Sequence, residues 1–226
     1  MANQLSWLRG VYFAKGKGEK FEIIWERGDG FKGVIYCIPS PKGEKIYLES
    51  WPGVFRQVNP FVNNLLIKMA IDWINEGPTE SILDLYSGMG NLTIPFSYLT
   101  KNITGVEVNP LSVENARINM KRLNLENIEL IRASTKKALK NFVEEKRKFD
   151  LIILDPPRGG AIDILEGIIL LNPERIIYIS CDQATLARDL RYLQESGQYK
   201  VNRIYPFDMF PQTFHIESIT LLKKID

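Results

Sequence analysis

The sequence has 226 residues, 45% hydrophobic and 25% charged, with a formal net charge of +2; this is the composition of an ordinary globular protein with ample length for a core, and any nucleic-acid partner would have to be met by a local patch. No apolar run approaches the roughly 18 residues that span a bilayer, and Met1-Ala2-Asn3-Gln4 opens without the charged and apolar regions of a signal peptide, so the expected location is cytoplasmic. Cys37 and Cys181 form no CxxC, and His215 is the single histidine; a zinc ribbon, an iron–sulfur site or a multi-histidine metal site made by this chain alone is excluded, and a disulfide is not expected in a reducing compartment.

Residues 1–53 read as a small β-rich region. Phe21-Glu22-Ile23-Ile24-Trp25-Glu26 and Gly33-Val34-Ile35-Tyr36-Cys37-Ile38 have strand character, and Lys45-Ile46-Tyr47-Leu48-Glu49 supplies a third run, with Gly, Asp and Pro turns between them. They predict one small antiparallel sheet that needs the main domain, or a larger module, for support. Arg9, Lys15, Lys17 and Lys20 read as solvated charge, with contact to RNA phosphates as the alternative. Residues 54–226 form the main domain. Its first element is a helix from Phe61 to Asn75, where Leu65, Leu66, Met69, Ile71 and Ile74 recur near helical spacing before Gly77-Pro78 stops the pattern.

From Ser81 onward strands and helices alternate. The strands are Ile82–Tyr86, Asn102–Val108, Ile128–Arg132, Leu151–Leu154 and Arg175–Ile179. The helices are one after Gly90, one from about Ser112, a basic one from about Thr135 to Glu145, one near Ile162 to Leu170, and one from Gln183 to Glu195. Such alternation predicts right-handed βαβ units and a mostly parallel sheet covered on both faces. Val201–Tyr205 and Glu217–Leu222 follow one another without a helix and predict an antiparallel pair at one edge, seven strands in all. The basic run Lys136, Lys137, Lys140, Lys146, Arg147, Lys148 suits a solvated helix face as well as it suits RNA.

Two proline residues end the fourth strand, leaving Asp155 of Asp155-Pro156-Pro157-Arg158 at its tip, and the next strand delivers Ser180-Cys181. If both strands are parallel, Asp155 and Cys181 open into one crevice, where open α/β sheets place ligands. The turn Gly88-Met89-Gly90 follows the first strand, and Glu107 falls 19 positions after Gly88 at the end of the second, where an acidic residue accepts from ribose hydroxyls. Thr93 stands where a dinucleotide fingerprint has its third glycine, which disfavours a pyrophosphate. S-adenosyl-L-methionine has no pyrophosphate, has a ribose for Glu107, and has an aminoacyl group for the Asp84–Asn91 turn.

Five motifs in order, Phe55-Arg56-Gln57-Val58-Asn59-Pro60, Asp84-Leu85-Tyr86-Ser87-Gly88-Met89-Gly90-Asn91, Asp155-Pro156-Pro157-Arg158-Gly159-Gly160, the segment from Ser180 to Leu190, and the segment from Asp208 to Glu217, resemble the RNA 5-methyluridine methyltransferases. The resemblance implies a class I, Rossmann-like, S-adenosylmethionine-dependent enzyme acting on carbon 5 of uridine in tRNA or rRNA. By that likeness Cys181 matches the nucleophile and Glu217 the general base, while Gln57, Tyr86, Asn91, Glu107 and Asp155 match positions that hold cofactor and target base; Ser134 falls near a further cofactor contact. The chemistry needs these residue types. A thiolate adding at carbon 6 turns a poor carbon nucleophile into an enolate, and a carboxylate must then take the carbon-5 proton before the thiol leaves.

Two rivals remain at the level of sequence. An amino-methyltransferase on adenine or guanine would use the Asp-Pro-Pro segment and need no cysteine, and a non-catalytic cofactor-binding RNA module would need neither. Larger members of the family carry an N-terminal RNA-binding β-barrel, and many a four-cysteine iron–sulfur cluster, neither of which this sequence holds. It is expected to be a minimal form or a C-terminal portion, and a protein partner that supplies RNA recognition fits either case.

Overall fold

The structure, a computed structural model, describes residues 10–13, 22–26 and 33–225, so Arg9, Lys15, Lys17 and Lys20 lie outside the described residues. Strands β1 (Gly10–Phe13) and β2 (Glu22–Glu26) pair antiparallel, and β3 (Val34–Pro39) and β4 (Lys45–Ser50) form a second ribbon. The single sheet expected from residues 21–49 is therefore two ribbons: β2 takes its partner from upstream, at Gly10–Phe13, and not from β3. The β3–β4 ribbon lays alternate residues, Tyr36, Ile38, Ile46 and Leu48, into the same buried cluster as Leu66, Ile67 and Ala70 of helix α1 (Pro60–Ile74). Its remaining attachment is polar. Asn119 Nδ2 and Asn115 Nδ2 both donate to Glu49 O at 2.9 Å, and Glu49 N donates to Asn119 Oδ1 at 2.8 Å, which satisfies backbone that no strand covers.

The main sheet has seven strands: β5 (Ser81–Leu85), β6 (Asn102–Glu107), β7 (Ile128–Arg132), β8 (Leu151–Leu154), β9 (Arg175–Ser180), β10 (Tyr199–Phe207) and β11 (Glu217–Lys224), in the order β10-β11-β9-β8-β5-β6-β7. The five strands from β9 across to the edge strand β7 are parallel and the β10–β11 hairpin is antiparallel, as the helix-free connection requires. β8 and β9 are buried along their whole length, the signature of parallel strands covered on both faces. Helices α1 and α2 (Thr93–Phe96), with the partly buried Met120 and Leu123 at the end of α3 (Pro110–Arg122), cover one face; α4 (Thr135–Glu144), α5 (Leu165–Leu171) and α6 (Gln183–Glu195) cover the other. The chain runs outward from β5 to β7, then returns to build β8 and β9 on the other side of β5. This reversal opens a crevice beyond the C-terminal ends of β5 and β8.

Local chemistry sets the helix ends. Asn59 and Asn109 accept from first-turn amides of α1 and α3, each ahead of a proline at the first helical position. The helix after Gly90 is only four residues long and tightens at once into a 3₁₀ turn over Ser97–Leu99, where Ser97 Oγ donates to Ile94 O at 2.7 Å. Helix α1 has no basic residue in its last turn; instead Arg175 from β9 donates to Trp73 O at 2.8 Å, Ile74 O at 3.1 Å, Gly77 O at 3.2 Å and Pro78 O at 3.3 Å, and also to the Thr79 hydroxyl. No helix among the described residues is long and apolar enough to cross a membrane.

Candidate active site

Strand parity places the site. Ile153, Ile177, Ile179, Ile219 and Leu221 face the α1 side of the sheet, so the same alternation turns Asp155, Cys181 and Glu217 to that side at the strand tips. Ser218 pairs with Ser180, and continuing that antiparallel register by one step sets Glu217 across from Cys181. Asp84, two residues after Ile82 on β5, joins them from the neighbouring strand.

The cofactor end is a turn held from both sides. Glu107 accepts from Gly88 N at 2.9 Å and from Asn109 N at 2.7 Å, so it ties the glycine turn to the end of β6. Gly90 has φ +93°, a left-handed conformation suited to glycine, and the short helix α2 follows. Asn91 and Asn63 exchange reciprocal amide hydrogen bonds of 2.9 and 3.0 Å, and Asn63 also donates to the Tyr36 hydroxyl at 2.6 Å. Burial pushes the Tyr36 hydroxyl up to about 12.

Gln57, Asp84, Tyr86, Ser87, Gly88, Met89, Asn91 and Asp155 line one pocket, together with Tyr36, Phe55, Arg56 and Leu92. Within it two side-chain atoms are buried without a partner among the described residues, Asp84 Oδ1 and Ser87 Oγ. The other Asp84 oxygen accepts from the Thr93 hydroxyl. A buried acceptor left without a donor costs about 1–3 kcal/mol. The pocket therefore fits a ligand that brings ammonium or hydroxyl hydrogens to Asp84 and Ser87, as an aminoacyl nucleoside does.

The chemical end is crowded with acids. Gln57 Nε2 donates to Asp155 Oδ2 at 3.3 Å, yet burial pushes the Asp155 carboxyl up to about 7. Asp84 rises to about 7 through burial, partly offset by the Thr93 hydroxyl and reinforced by the Asp155 and Glu107 charges. Glu217, 2% exposed, rises to about 8 through burial and then through Asp155. The Cys181 thiol is also raised, first by burial and then by Glu217 and Asp155, while Arg158 pulls the other way. Cys181 directly precedes Asp182, which caps α6 by accepting from Thr185 N at 2.9 Å, so the thiol sits by the positive end of a 13-residue helix.

One face of α6 holds the loop that carries Arg158. Thr185 Oγ1 donates to Arg158 O at 3.1 Å, Arg188 Nη2 donates to Gly159 O at 2.9 Å, and Ala161 N donates to Asp189 Oδ2 at 2.6 Å. Asp189 is fully buried and also accepts from the Tyr178 hydroxyl at 2.7 Å and Arg188 Nε at 2.8 Å. Gly160, at φ +75°, has no room for a side chain: a Cβ there would lie 2.6 Å from both Arg188 Nη2 and Asp189 Oδ2.

The structure thus brings Gln57, Tyr86, Gly88, Asn91 and Asp155 into one pocket, ties Glu107 to it through Gly88, and sets Cys181 and Glu217 beside Asp155. Gly90 shapes the turn without lining the pocket. Ser134 is exposed and caps α4, accepting from Lys137 N at 3.4 Å, and it does not line the pocket either. Sequence reasoning missed Asn63 and Tyr36 as contributors, and used Asp84 and Ser87 only as parts of a turn. A polar residue inside the apolar stripe of α1 was the available signal for Asn63. The basic run divides: Lys136 and Lys137 lie at the start of α4, toward the crevice, whereas Lys146, Arg147 and Lys148 precede β8 at the opposite end of the sheet. Arg147 is structural, donating to Glu129 Oε2 at 2.8 Å and Thr104 Oγ1 at 2.9 Å. No group of histidine, cysteine and acidic residues among the described residues is arranged to hold a metal ion.

Comparison with known proteins places this constellation in context. The family described as tRNA (Uracil-5-)-methyltransferase matches residues 40–225. The chain is 40% identical over 177 residues to the 23S rRNA (uracil(1939)-C(5))-methyltransferase RlmD of Marinomonas sp. (strain MWYL1), covering 78% of this chain and 40% of that protein. It is 34% identical over 232 aligned positions to an uncharacterized RNA methyltransferase of Clostridium acetobutylicum, covering 93% of this chain and 50% of the relative. Among solved structures it is similar to the Pyrococcus abyssi tRNA (uracil-54, C5)-methyltransferase in complex with S-adenosyl-L-homocysteine, with TM-score 0.70 and 26% identity over 94% of this chain and 49% of that one. The chain spans half or less of the length of each of these proteins.

Proposed function

This chain belongs to the tRNA (uracil-5-)-methyltransferase family, and on that premise we propose that it methylates carbon 5 of a uridine in tRNA or rRNA, with S-adenosyl-L-methionine as methyl donor and Cys181 as nucleophile. The observation that carries the reading is the register of β9 and β11, which sets Cys181 opposite Glu217 with Asp155 on the same face. When bound, S-adenosylmethionine supplies an electrophilic methyl group. Glu107, Tyr86, Asn91 and the Gly88–Gly90 turn would hold its nucleoside and aminoacyl parts, and Asp84 and Ser87 would accept its remaining hydrogens.

Asp155, fixed by Gln57, hydrogen-bonds the uracil edge and orients it. The Cys181 thiolate adds to carbon 6, and the ring's electron pair is then available at carbon 5. After carbon 5 is methylated, Glu217 in its ionised form, which predominates only above about pH 8, takes the carbon-5 proton, the carbon–sulfur bond breaks, and the thiolate is restored. The target uridine must leave its stack for carbon 6 to reach Cys181. A tRNA or rRNA substrate supports a cytoplasmic location.

Incubation with cofactor and RNA containing 5-fluorouridine tests the chemistry. Fluorine at carbon 5 cannot leave as a proton does, so a stable protein–RNA adduct is expected with the natural sequence and none with Cys181→Ala. Full methylation of ordinary RNA by Cys181→Ala would overturn the covalent route and favour transfer to an exocyclic amine held at Asp155-Pro156-Pro157.

A further inference from the structure

Phe214 has the highest exposure of the large apolar side chains among the described residues, 89%. It sits in the 208–216 connection between β10 and β11, three residues before Glu217. The connection is fixed. Phe210-Pro211-Gln212-Thr213 is a tight turn with proline second and Gln212 at φ +64°, closed by Thr213 N donating to Phe210 O at 3.2 Å. Thr213 Oγ1 donates to the same carbonyl at 2.8 Å and accepts from His215 N at 3.2 Å. Met209 is fully buried, and Gln183 of α6 donates to Ile216 O at 2.7 Å, so both ends are pinned. Phe214 therefore faces water because the backbone holds it there.

The rings around it form an array. Phe214 and His215 have centroids 4.2 Å apart, and Phe210 meets His215 edge-on at 5.9 Å, which leaves Phe214 outermost. His215 of the array is within electrostatic reach of the Asp182 carboxylate at the start of α6. A phosphate is poorly matched to that acid, whereas the face of a nucleobase carries no charge to repel. A uridine turned out of its stack leaves the neighbouring base without one of its partners, and an exposed aromatic ring is a sequence-tolerant substitute.

We infer that Phe214 is a stacking platform for the unpaired base adjacent to the target uridine in single-stranded RNA, a reading that rests on the RNA-methylating function above. The ring contributes affinity and positioning without touching a phosphate.

The test uses the full chain, S-adenosylhomocysteine and a short, unstructured, fluorescently labelled RNA containing one uridine, read by anisotropy across a salt series. Phe214→Ala should weaken binding by about 5- to 100-fold with the salt slope unchanged, and Phe214→Trp should restore it. Replacing the base on one side of the uridine by an abasic site should cost the unaltered protein a similar factor and cost Phe214→Ala almost nothing more. Each variant should melt with the unaltered protein, because the side chain is exposed. Equal affinity for Phe214→Ala, a changed salt slope, or an abasic cost that is the same in both proteins overturns the inference while leaving the enzymatic reading intact. A shift of Phe214→Ala from oligomer to monomer in sedimentation also overturns it, since the ring would then be a contact between copies. No RNA binding by the unaltered protein removes the underlying reading together with the platform.

Discussion

Replacing Glu217 by glutamine should make the protein more stable at high pH and leave it nearly unchanged at low pH. Glu217 is 2% exposed, and the fold raises its carboxyl from 4.5 to about 8, chiefly by burial and then by Asp155, with Cys181 also close enough for its thiol to feel the Glu217 charge. A carboxyl raised in this way binds a proton in the native state that the unfolded chain has already released. Between about pH 4.5 and 8 the native state therefore holds more protons, and stability falls as pH rises. A separation of roughly 3.5 pKa units at 1.36 kcal/mol each sets a loss of about 3–5 kcal/mol, complete above pH 8 and absent below pH 4. Glutamine has nearly the shape of the neutral acid and does not titrate. Urea titrations of both proteins at pH 5, 7 and 9 should give free energies within about 1 kcal/mol at pH 5 and a gap of roughly 3–5 kcal/mol, in favour of the variant, at pH 9. A gap that stays constant across the three pH values would refute a buried, proton-holding Glu217. Asp84 and Asp155 rise to about 7, so residual pH dependence in the variant should end near pH 7 and not near 8.

Arg175→Met removes the donors that close the end of α1 and leaves the carbonyls of Trp73, Ile74, Gly77 and Pro78 without them; a loss of about 3–5 kcal/mol, read as a melting temperature lower by roughly 6–20 °C, is expected. Asp84→Asn should weaken S-adenosylhomocysteine binding in calorimetry by about 10- to 100-fold without altering the fold, since only one Asp84 oxygen is engaged within the protein; unchanged affinity would remove Asp84 from the cofactor site. Gly160→Ala forces a Cβ to within 2.6 Å of Asp189 and Arg188 at a left-handed backbone position. It should cost about 2 kcal/mol or more and move the pH profile of Cys181 alkylation upward as Arg158 shifts away.

The parallel sheet and terminal hairpin were legible because β8, β9 and their neighbours are short apolar runs punctuated by prolines, glycines and helices of regular length. Helix α6 begins and ends at Gln183 and Glu195 as read, because Asp182 caps its start and the amphipathic pattern is continuous. The shared crevice of Asp155 and Cys181 followed once their two strands were taken as parallel, whereas Glu217 was tied to them only by the family resemblance. What sequence reading missed depends on contacts distant along the chain. Asn63 finds Asn91 28 positions away, and Arg175 reaches back to α1 across about 100 residues. A polar residue in an apolar stripe flags Asn63 itself, but no local pattern says which distant group it meets. Three of the four N-terminal strands were recognised; β1 was not, because Gly10–Phe13 is only four residues long, and without it β2 was grouped with β3 and not with its upstream partner.

The reach of Arg175 has a consequence for synthesis. The carbonyls at the end of α1 wait for a guanidinium made 102 residues later, and at about 5–20 residues per second that interval is roughly 5–20 seconds. Throughout it the apolar stripe of α1, with Leu66, Ile67, Ala70 and Ile74, has no β9 to lie against. The nascent chain therefore emerges with a helix whose last carbonyls lack the Arg175 donors and whose apolar stripe is bare, which makes this stretch the natural place for a chaperone to bind and for early misfolding to begin.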